Sequence, residues 1–465
     1  MAIVIDDFAG RRVHMIGVGG SSMSGLAGLL RQRGYEVTGS DNYDSYLVAA
    51  VRSAGIPVTI GHRAENVHGA DLVVFSAAIA PENPERQEAQ RLGIAQMERS
   101  VLLGQLMRGY REAICVAGTH GKTSTTAMLA RALVECGLDP SVHLGGSFDF
   151  IGGSTRVGGH GVFVAEACEF HASFLEMQPT VAVVLNVEED HLDYYRDIDH
   201  IAQTFARFVS LVPPHGVCAV NGDDPRARAL LEGLPCRRIT FGVGERNDWR
   251  AVGLTYDEQG RASFDAAFRG EVRAHVALRV PGAFNVLNAL AALAAADAVG
   301  ADAACAAESL GRFENVHRRF EHTGTVDGVA LYHDYGHNPA EMRGALSVAT
   351  LQPHKTLWAV MQPHTYSRVK RLFADYIHCC DAADEILITD IYAARESDPG
   401  DIHSGMLVDA IAKTGQRVHW TPTFDDTEAY LRAHWQPGDL VLTMGCGNIN
   451  VLNDQIARHG DGWKA

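Results

Sequence analysis

The chain has 465 residues, which corresponds to roughly three domains of about 150 residues each. Apolar residues make up 46% of it and charged residues 21%, proportions typical of a protein with well-filled cores. Lys and Arg total 40 against 56 Asp and Glu, and this net charge of −16 argues against non-specific binding to nucleic acid or to an anionic membrane.

The sequence carries no pattern typical of membrane insertion or export. No apolar run approaches the roughly 20 residues that span a bilayer, and the opening MAIVIDDFAGRR does not have the composition of a signal peptide. The nine cysteines are scattered, without a C-x-x-C pair. We therefore expect reduced thiols in a cytoplasmic protein.

The first predicted domain covers residues 1–111. The apolar run 12–18 predicts a buried strand, and a glycine turn separates it from a helical pattern between Met23 and Arg33. Further strands are predicted at 35–40 and 71–76. Apolar strands that alternate with helices are typical of a parallel βαβ sheet.

Two further domains are predicted, at residues 112–320 and 321–465. The second contains predicted strands at 113–117, 161–166 and 181–186, an antiparallel excursion at 246–280 and a helix at 285–299. The third contains predicted strands at 329–333, 356–361, 385–389 and 440–443. The predicted fold class is therefore α/β, with three α/β domains in series.

A glycine-containing loop lies between the first strand and the first helix of the second domain. Its residues are Gly118, Thr119, His120, Gly121, Lys122, Thr123 and Ser124. Backbone N–H groups at a helix N-terminus can cradle a phosphate, so Lys122 is expected to reach the β- and γ-phosphates and the Thr123 hydroxyl to bind Mg²⁺. Val116 stands where the longer Walker pattern has its first glycine, and a glycine turn with an incidental lysine is the alternative.

Polar residues follow the next two predicted strands of this domain. Glu166 ends one strand, and the run NVEEDH, which ends at His191, follows the other. The carboxyl ends of parallel strands converge on one crevice. We therefore predict that Glu166 and His191 bind Mg²⁺ beside the phosphate loop, although a single histidine among 22 is more often a surface or core residue.

The first domain contains another glycine turn, whose pattern is less specific for a ligand than that of the loop in the second domain. It comprises Gly17, Gly19, Gly20, Ser21 and Ser22, with Ser40 and Asp41 about twenty residues later. The dinucleotide fingerprint requires a glycine where Ser22 stands. A nucleotide diphosphate, NAD and a purely structural turn all remain open on this pattern.

The third domain has two polar segments that follow predicted strands and are expected on its active face. They are HDYGHNP at 333–339 and QPHTYSR at 362–368, and Arg319 in HRRFE precedes the first of them. A buried structural polar cluster is the alternative interpretation.

Taken together, these segments resemble the Mur ligase family over essentially the whole chain. The matching pieces, in order, are GVGGSSMSGLA, AGTHGKTSTTAML, EACEFHASFLEMQP, NVEEDHLDYY, PGAFNVLNALAA, RRFE, HDYGHNPAE, QPHTYSR and DIYAARE. The resemblance implies an N-terminal Rossmann-like domain that binds a UDP-sugar, a central P-loop ATPase-type domain and a C-terminal Rossmann-like domain.

The activity that the resemblance implies is ATP-dependent ligation of L-alanine to the carboxylate of UDP-N-acetylmuramate through an acyl phosphate, in the synthesis of peptidoglycan precursors. ATP and Mg²⁺ are the implied cofactors, and the implied partners are small molecules, without nucleic acid or membrane. Three domains around one crevice are expected to close before catalysis.

The resemblance also implies roles for individual residues. Mg²⁺ is expected near Thr123, Glu166 and His191, and the UDP-sugar at the glycine turn of the first domain with Ser40 and Asp41. The remaining implied contacts are with adenine at Asn285 and Asn288, with the nucleotide at Arg319 and Asp334, with His337 close by, and with the amino acid at Tyr335, His364 and Arg368. Lys122, Glu166, His191, His337 and Arg368 are the expected catalytic residues.

Three residues depart from the family pattern. Ser22 replaces a usual glycine, His333 a usual acid and Asn338 a usual histidine. Three other functions stay open: a family member that attaches a whole tripeptide to the same nucleotide sugar, a nicotinamide-dependent oxidoreductase that uses residues 17–20, and a non-catalytic nucleotide-binding regulator.

Overall fold

A computed structural model describes residues 3–191, 194–394 and 396–463. The chain divides into two compact units. The first comprises the residues up to Leu254 together with Ser263–Arg279 and Phe284–Phe313, and the second comprises Thr255–Ala262, Val280–Ala283 and the residues from Glu314 onward. Within the described ranges, no helix is long and apolar enough to cross a membrane.

The first sheet, in the first unit, has five parallel strands flanked by four helices. These elements are β1 (Arg12–Ile16), α1 (Ser21–Gln32), β2 (Glu36–Asp41), α2 (Tyr46–Ser53), β3 (Val58–Ile60), β4 (Leu72–Phe75), α3 (Pro84–Leu92), β5 (Ala95–Glu98) and α4 (Arg99–Met107). The strand order is β3-β2-β1-β4-β5. The order reverses beside β1, where ligands of such sheets commonly bind.

The second sheet, with ten strands, begins in the same unit. Its first elements are β6 (Glu112–Ala117), α5 (Lys122–Glu135), β7 (Ser141–Phe148), β8 (Gly153–Arg156), β9 (Val162–Glu166), β10 (Val181–Val184), α6 (Ile198–Val209) and β11 (Val217–Asn221). The others are α7 (Pro225–Ala229), β12 (Arg237–Gly242), β13 (Trp249–Tyr256), β14 (Arg261–Phe268), β15 (Glu271–Pro281), α8 (Phe284–Ala298) and α9 (Ala303–Leu310). The strand order is β15-β14-β13-β12-β11-β10-β6-β9-β7-β8, and β6 pairs in parallel with both β9 and β10.

The second unit is built on a six-stranded sheet. Its elements are β16 (Glu321–Val326), β17 (Val329–Asp334), α10 (Pro339–Ala349), β18 (Leu357–Met361), α11 (Tyr366–Arg371), α12 (Phe373–Ile377) and β19 (Glu385–Ile388), followed by α13 (Ser404–Ala412), β20 (Val418–Trp420), α14 (Phe424–His434), β21 (Leu440–Met444) and α15 (Asn450–His459). The order is β16-β17-β21-β18-β19-β20, and only β16 runs antiparallel to its neighbour.

The structure confirms the predicted strands and helices to within a few residues. The apolar run AICVA lies in β6, which is buried along almost its whole length. A continuous apolar run is what a strand needs in a sheet covered on both faces. Short strands such as β3, β8 and β20 were not predicted. Arg319, which we assigned to the second predicted domain, lies in the second compact unit.

The expectation that all cysteines are reduced thiols was wrong for two of them. Cys136, the residue that caps α5, is disulfide-bonded to Cys305 in α9, with their Cα atoms 5.9 Å apart. The pair is separated by 169 residues, so no local spacing indicates it. The bond ties the C-terminal end of α5 to α9, while the other seven cysteines are free.

Reduction of this disulfide is expected to lower the unfolding midpoint. A cross-link that closes a long loop removes conformational entropy from the unfolded chain, typically worth about 2–4 kcal/mol. Thermal unfolding with and without dithiothreitol measures the effect, and the double variant Cys136→Ser, Cys305→Ser should show no response to reductant. Complete alkylation of both cysteines under non-reducing conditions would contradict the pairing.

Candidate functional site

The loop between β6 and α5 is folded tightly against β10 and α8. Gly118 and Gly121 have φ of +144° and +83°, which other residues rarely adopt. A Cβ at Gly121 would lie 2.7 Å from Asn288 Oδ1. His120 N–H donates to Asn186 Oδ1 (2.8 Å), which fixes the loop against the segment after β10.

Lys122 begins α5, and its ammonium lies inside the loop. Its Nζ donates to the carbonyl oxygens of Gly118 (2.6 Å) and Thr119 (3.0 Å) and pairs with both carboxylate oxygens of Glu169 (2.9 and 3.0 Å). Burial alone would lower the pKa of Lys122, but the charges of Glu169, Cys168 and Glu166, together with the hydrogen bond to Glu169, raise it. Lys122 is therefore a cation at the position where a helix N-terminus favours phosphate.

Glu166, at the end of β9, lies beside the start of α5 as predicted. Its Oε2 accepts from the Thr123 hydroxyl (2.9 Å) and from the Gly145 N–H (2.8 Å). This contact follows from the parallel pairing of β6 with β9, which brings the two strand ends together.

His191 lies next to Glu169. Its Nε2 is 3.9 Å from a carboxylate oxygen of Glu169 and 3.9 Å from one of Asp190. One donor atom from each of these three residues lies within 4.8 Å of the others, a group able to hold a metal ion. Glu169 and Asp190 were not among the predicted site residues, although Glu169 belongs to the quoted segment EACEFHASFLEMQP.

Asn285 and Asn288, predicted to contact adenine, are buried in α8. Asn288 Oδ1 accepts from the Thr125 hydroxyl (3.1 Å), and its Nδ2 donates to Asn285 Oδ1 (3.0 Å). Asn288 therefore links α8 to the first turn of α5. The adenine contact stays a prediction for both residues.

The glycine turn of the first domain is held by residues that were predicted to bind the UDP-sugar. The N–H groups of Gly17 and Val18 donate to Ser40 O (2.8 and 3.0 Å), and the Gly19 N–H donates to Asp41 Oδ2 (2.9 Å). The buried Ser40 hydroxyl donates to Glu85 (2.7 Å). The carbonyl oxygen and the hydroxyl of Ser40, which could bind a ligand, therefore both have hydrogen-bond partners within the fold.

Ser22, in the first turn of α1, has hydrogen-bond partners that a glycine could not use. Its Oγ lies 2.8 Å from His143 Nε2 and accepts from the Arg99 guanidinium (2.9 Å). Sequence reasoning missed Arg99, whose cation stands beside the N-terminus of α1. The Arg99 cation and the positive end of the helix dipole together make the N-terminus of α1 suited to an anionic group.

The predicted residues of the third domain come together after β17 and β18. Asp334 ends β17 and accepts from the N–H groups of Phe320 (2.8 Å) and Gly336 (2.7 Å). Burial raises the pKa of Asp334 despite the neighbouring Arg319. The Arg319 guanidinium lies 5.0 Å from the centroid of the Tyr335 ring.

His337 is a cation in this cluster. Its Nδ1 lies 3.2 Å from Glu341 Oε2 and 3.2 Å from Tyr335 O. Burial opposes protonation, but Glu341 and Cys446 outweigh it and raise the pKa of His337 to about 10. A histidine that is protonated at neutral pH is suited to stabilising negative charge and not to accepting a proton.

His364 lies just before α11, and Arg368 lies within it. Arg368 Nη1 is 3.4 Å from His364 Nδ1. The His364 ring stacks on Tyr392 at 5.8 Å and lies 5.8 Å from the His337 ring. The structure therefore brings the segments HDYGHNP and QPHTYSR together, as predicted from their positions after parallel strands.

The two departures in HDYGHNP have local partners. His333 is buried, and its Nε2 accepts from Arg318 Nε (3.1 Å). Arg318 also donates to Gly445 O (3.1 Å) and Gly447 O (3.0 Å). Asn338 caps α10 by accepting from the Glu341 N–H (2.9 Å).

Two buried histidines predict a loss of stability in mild acid. Burial, assisted by nearby arginines, lowers the pKa of His143 and of His333 to about 3. In the unfolded chain these two histidines bind a proton below about pH 6.5, whereas in the folded chain they stay neutral until about pH 3. The free energy of unfolding therefore falls as pH drops from 6.5 towards 3, and each histidine contributes up to about 1.4 kcal/mol per pH unit.

Thermal unfolding midpoints between pH 7.5 and 5 measure this dependence. His143→Gln should flatten it, whereas His215→Gln, which changes an exposed histidine, should not. Equal slopes in all three proteins would contradict the assignment.

A cation-bearing phosphate loop between a parallel strand and a helix, with carboxylates at the adjoining strand ends, defines a nucleotide-binding α/β protein of the P-loop type. The chain belongs to the Mur ligase family. The family's middle-domain model matches residues 116–296, its "catalytic domain" model residues 12–111 and its "glutamate ligase domain" model residues 318–447.

Two curated relatives are UDP-N-acetylmuramate–L-alanine ligases. The one from Caldanaerobacter subterraneus subsp. tengcongensis is 47% identical over 98% of this chain and 99% of its own length. The one from Acetivibrio thermocellus is 41% identical over 98% and 97%.

Solved structures show the same fold. UDP-N-acetylmuramate-alanine ligase from Thermotoga maritima matches with a TM-score of 0.83 at 26% identity, covering 96% of this chain and 98% of that one. A murein peptide ligase from Psychrobacter arcticus matches with a TM-score of 0.75 at 24% identity, covering 97% and 98%.

Proposed function

We propose that this protein ligates L-alanine to the carboxylate of UDP-N-acetylmuramate, with conversion of ATP to ADP and phosphate. The observation that carries the proposal is the Lys122 ammonium held at the N-terminus of α5, beside Thr123 and Glu166, in a chain 47% identical to such a ligase. The proposed product is a peptidoglycan precursor, and we propose that the protein works in the cytoplasm.

The first step activates the carboxylate. A carboxylate oxygen of the muramate attacks the γ-phosphorus, the bond to ADP breaks, and an acyl phosphate forms. This transfer needs mainly positioning and stabilisation of negative charge. Lys122 and the N–H groups at the start of α5 supply both.

The second step forms the amide. The neutral amine of L-alanine attacks the acyl carbon and phosphate leaves, while a base takes the amine proton. Because the pKa of His337 is about 10, His337 is protonated at neutral pH. His191 is therefore our candidate base, and His337, His364 and Arg368 are our candidates for holding the α-carboxylate of alanine.

The oxygen donors near Lys122 fit Mg²⁺, which prefers carboxylate and hydroxyl ligands. Thr123 and Glu166 already share a hydrogen bond (2.9 Å), and the carboxylates of Glu169 and Asp190 lie together in a second group, beside His191. When bound, Mg²⁺ supplies positive charge to the triphosphate. Water must be excluded from the acyl phosphate, which would otherwise hydrolyse.

Phosphate release with UDP-N-acetylmuramate, Mg-ATP and one amino acid at a time tests the proposal. L-Alanine should give the highest kcat/KM. Glycine should be a poor but real substrate, since one methyl group is worth about 1–3 kcal/mol. Higher kcat/KM for a tripeptide than for L-alanine would instead favour the tripeptide ligase.

Glu166→Gln should raise the Mg²⁺ concentration needed for half-maximal activity by about 10-fold or more, because a metal-site oxygen loses its charge. Activity titrated with MgCl₂ measures the shift. Glu188→Gln, which changes a half-exposed carboxylate near the same loop, is the control. An unchanged titration curve would remove Glu166 from the metal site.

A further inference from the structure

The ammonium of Lys122 has three N–H groups and three protein acceptors. Two are the carbonyl oxygens of Gly118 (2.6 Å) and Thr119 (3.0 Å), within the loop itself. The third is the carboxylate of Glu169, at 2.9 and 3.0 Å. Lys122 can therefore donate to a phosphate oxygen only by giving up one of these acceptors.

Glu169 has a buried side chain and a backbone carbonyl that is held on two sides. Its side chain is 3% exposed, and its carbonyl oxygen accepts from the Tyr195 hydroxyl (2.5 Å) and from the Ala172 N–H (2.8 Å). The lysine side chain, by contrast, has four rotatable methylene groups. The longer and more exposed lysine side chain can therefore exchange partners by moving the ammonium.

We infer that Glu169 is a positioning residue of the phosphate loop, which holds the Lys122 ammonium inside the loop and competes with phosphate oxygens for it. The inference rests on the proposed ATP-dependent function. It assigns to Glu169 control of how tightly the loop binds a nucleotide.

The competition makes nucleotide affinity depend on a divalent cation. Once Lys122 turns to a phosphate, the Glu169 carboxylate is left near the negative triphosphate, and like charges at short range are costly. His191 Nε2 lies 3.9 Å from this carboxylate, and Asp190 completes the same group of donors. A cation there would neutralise Glu169, so the penalty should be largest without metal.

Calorimetric titration of ATP into the protein, in EDTA and in MgCl₂, tests the inference. Glu169→Gln keeps the shape of the side chain and removes its charge. In EDTA we expect it to bind ATP at least about 10-fold more tightly than the wild type, and in MgCl₂ the difference should shrink. Glu188→Gln removes a charge that contacts His120 and not Lys122, and should stay within about threefold of the wild type in EDTA.

A double-variant cycle separates competition for Lys122 from simple repulsion of the nucleotide. If Glu169 acts through Lys122, Glu169→Gln should no longer tighten ATP binding when Lys122→Met is also present. An equal gain with and without Lys122 would overturn the inference.

The remaining outcomes are also decisive. Unchanged or weaker ATP binding by folded Glu169→Gln in EDTA would overturn the inference. If that variant does not fold, Glu169→Asp, which keeps the charge but withdraws it by one methylene group, should tighten binding by a smaller factor, and unchanged binding would overturn the inference. A wild type that binds ATP but releases no phosphate with L-alanine would contradict the proposed function alone, and one that binds no ATP would contradict both.

Discussion

Lys122→Ala is expected to lower turnover by about 10²-fold or more while keeping the fold, with a lower unfolding midpoint because the buried Glu169 loses its partner. The ammonium lies at the N-terminus of α5, where charge on the transferred phosphoryl group would develop, and alanine cannot replace it. Loss of the lysine also leaves Glu169 without its cation. The phosphate site then keeps the carboxylates of Glu166 and Glu169 without the lysine, and the added negative charge disfavours ATP as well as the transition state.

Phosphate release at saturating substrates gives the turnover of this variant, and circular dichroism with thermal melting checks its fold. Lys122 is the only lysine before Lys355 in the chain, so Lys355→Ala serves as the control for removal of a lysine at an exposed position. The control should retain full activity. Turnover of Lys122→Ala within a few-fold of the wild type would remove the loop from the phosphate site.

The convergence of polar residues at strand ends could be predicted from the sequence. Parallel strands place their carboxyl ends at one edge, so Glu166 after β9 and Thr123 after β6 had to lie close together, and their side chains are 2.9 Å apart. The same argument placed the segments HDYGHNP and QPHTYSR on one face, and the rings of His337 and His364 lie 5.8 Å apart. Both predictions needed only the strand positions and their parallel direction, which apolar runs alternating with helices indicate.

The choice between two carboxylates in the segment EACE could not be made from the sequence. Glu166 still belongs to β9, whereas Glu169 lies in the turn that follows, where direction depends on local backbone angles. His171 and Ala172 both adopt positive φ, of 52° and 56°, in that turn. Such angles are uncommon for residues other than glycine and have no clear signal in the sequence, so the partner of Lys122 was missed.

Contacts between distant parts of the chain were also beyond sequence reasoning. Arg99 and His143 meet at Ser22 across 77 and 121 residues. The Cys136–Cys305 bond spans 169 residues. No local periodicity reports contacts at these separations, and composition alone favoured free thiols.

The departures from the family pattern acquire a physical explanation in these contacts. A glycine at position 22 would leave both Arg99 and His143 without the serine hydroxyl. His333 offers Arg318 a neutral acceptor where an acid is usual. Each departure therefore keeps its neighbours hydrogen-bonded, and none of them removes a residue from the phosphate loop.

Arg368→Ala should raise the apparent KM for L-alanine far more than the KM for ATP. Loss of a paired guanidinium from a carboxylate commonly costs about 2–5 kcal/mol, which corresponds to roughly 30- to 5,000-fold. Arg368 Nη1 lies 3.4 Å from His364 Nδ1, so both side chains can contact one carboxylate. Lys370→Ala, which removes an exposed cation of the same helix that pairs with Asp401, is the control.

The two chemical steps should respond differently to Arg368→Ala, because acyl-phosphate formation precedes attack by the amine. Oxygen-18 in the muramate carboxylate passes into released phosphate and follows the first step, whereas chromatography of the alanyl product follows the second. We expect transfer of the label to survive and the alanine dependence to shift. If the KM for alanine is unchanged, or if ATP and alanine are affected equally, Arg368 does not bind the amino acid, and the segment QPHTYSR needs another role.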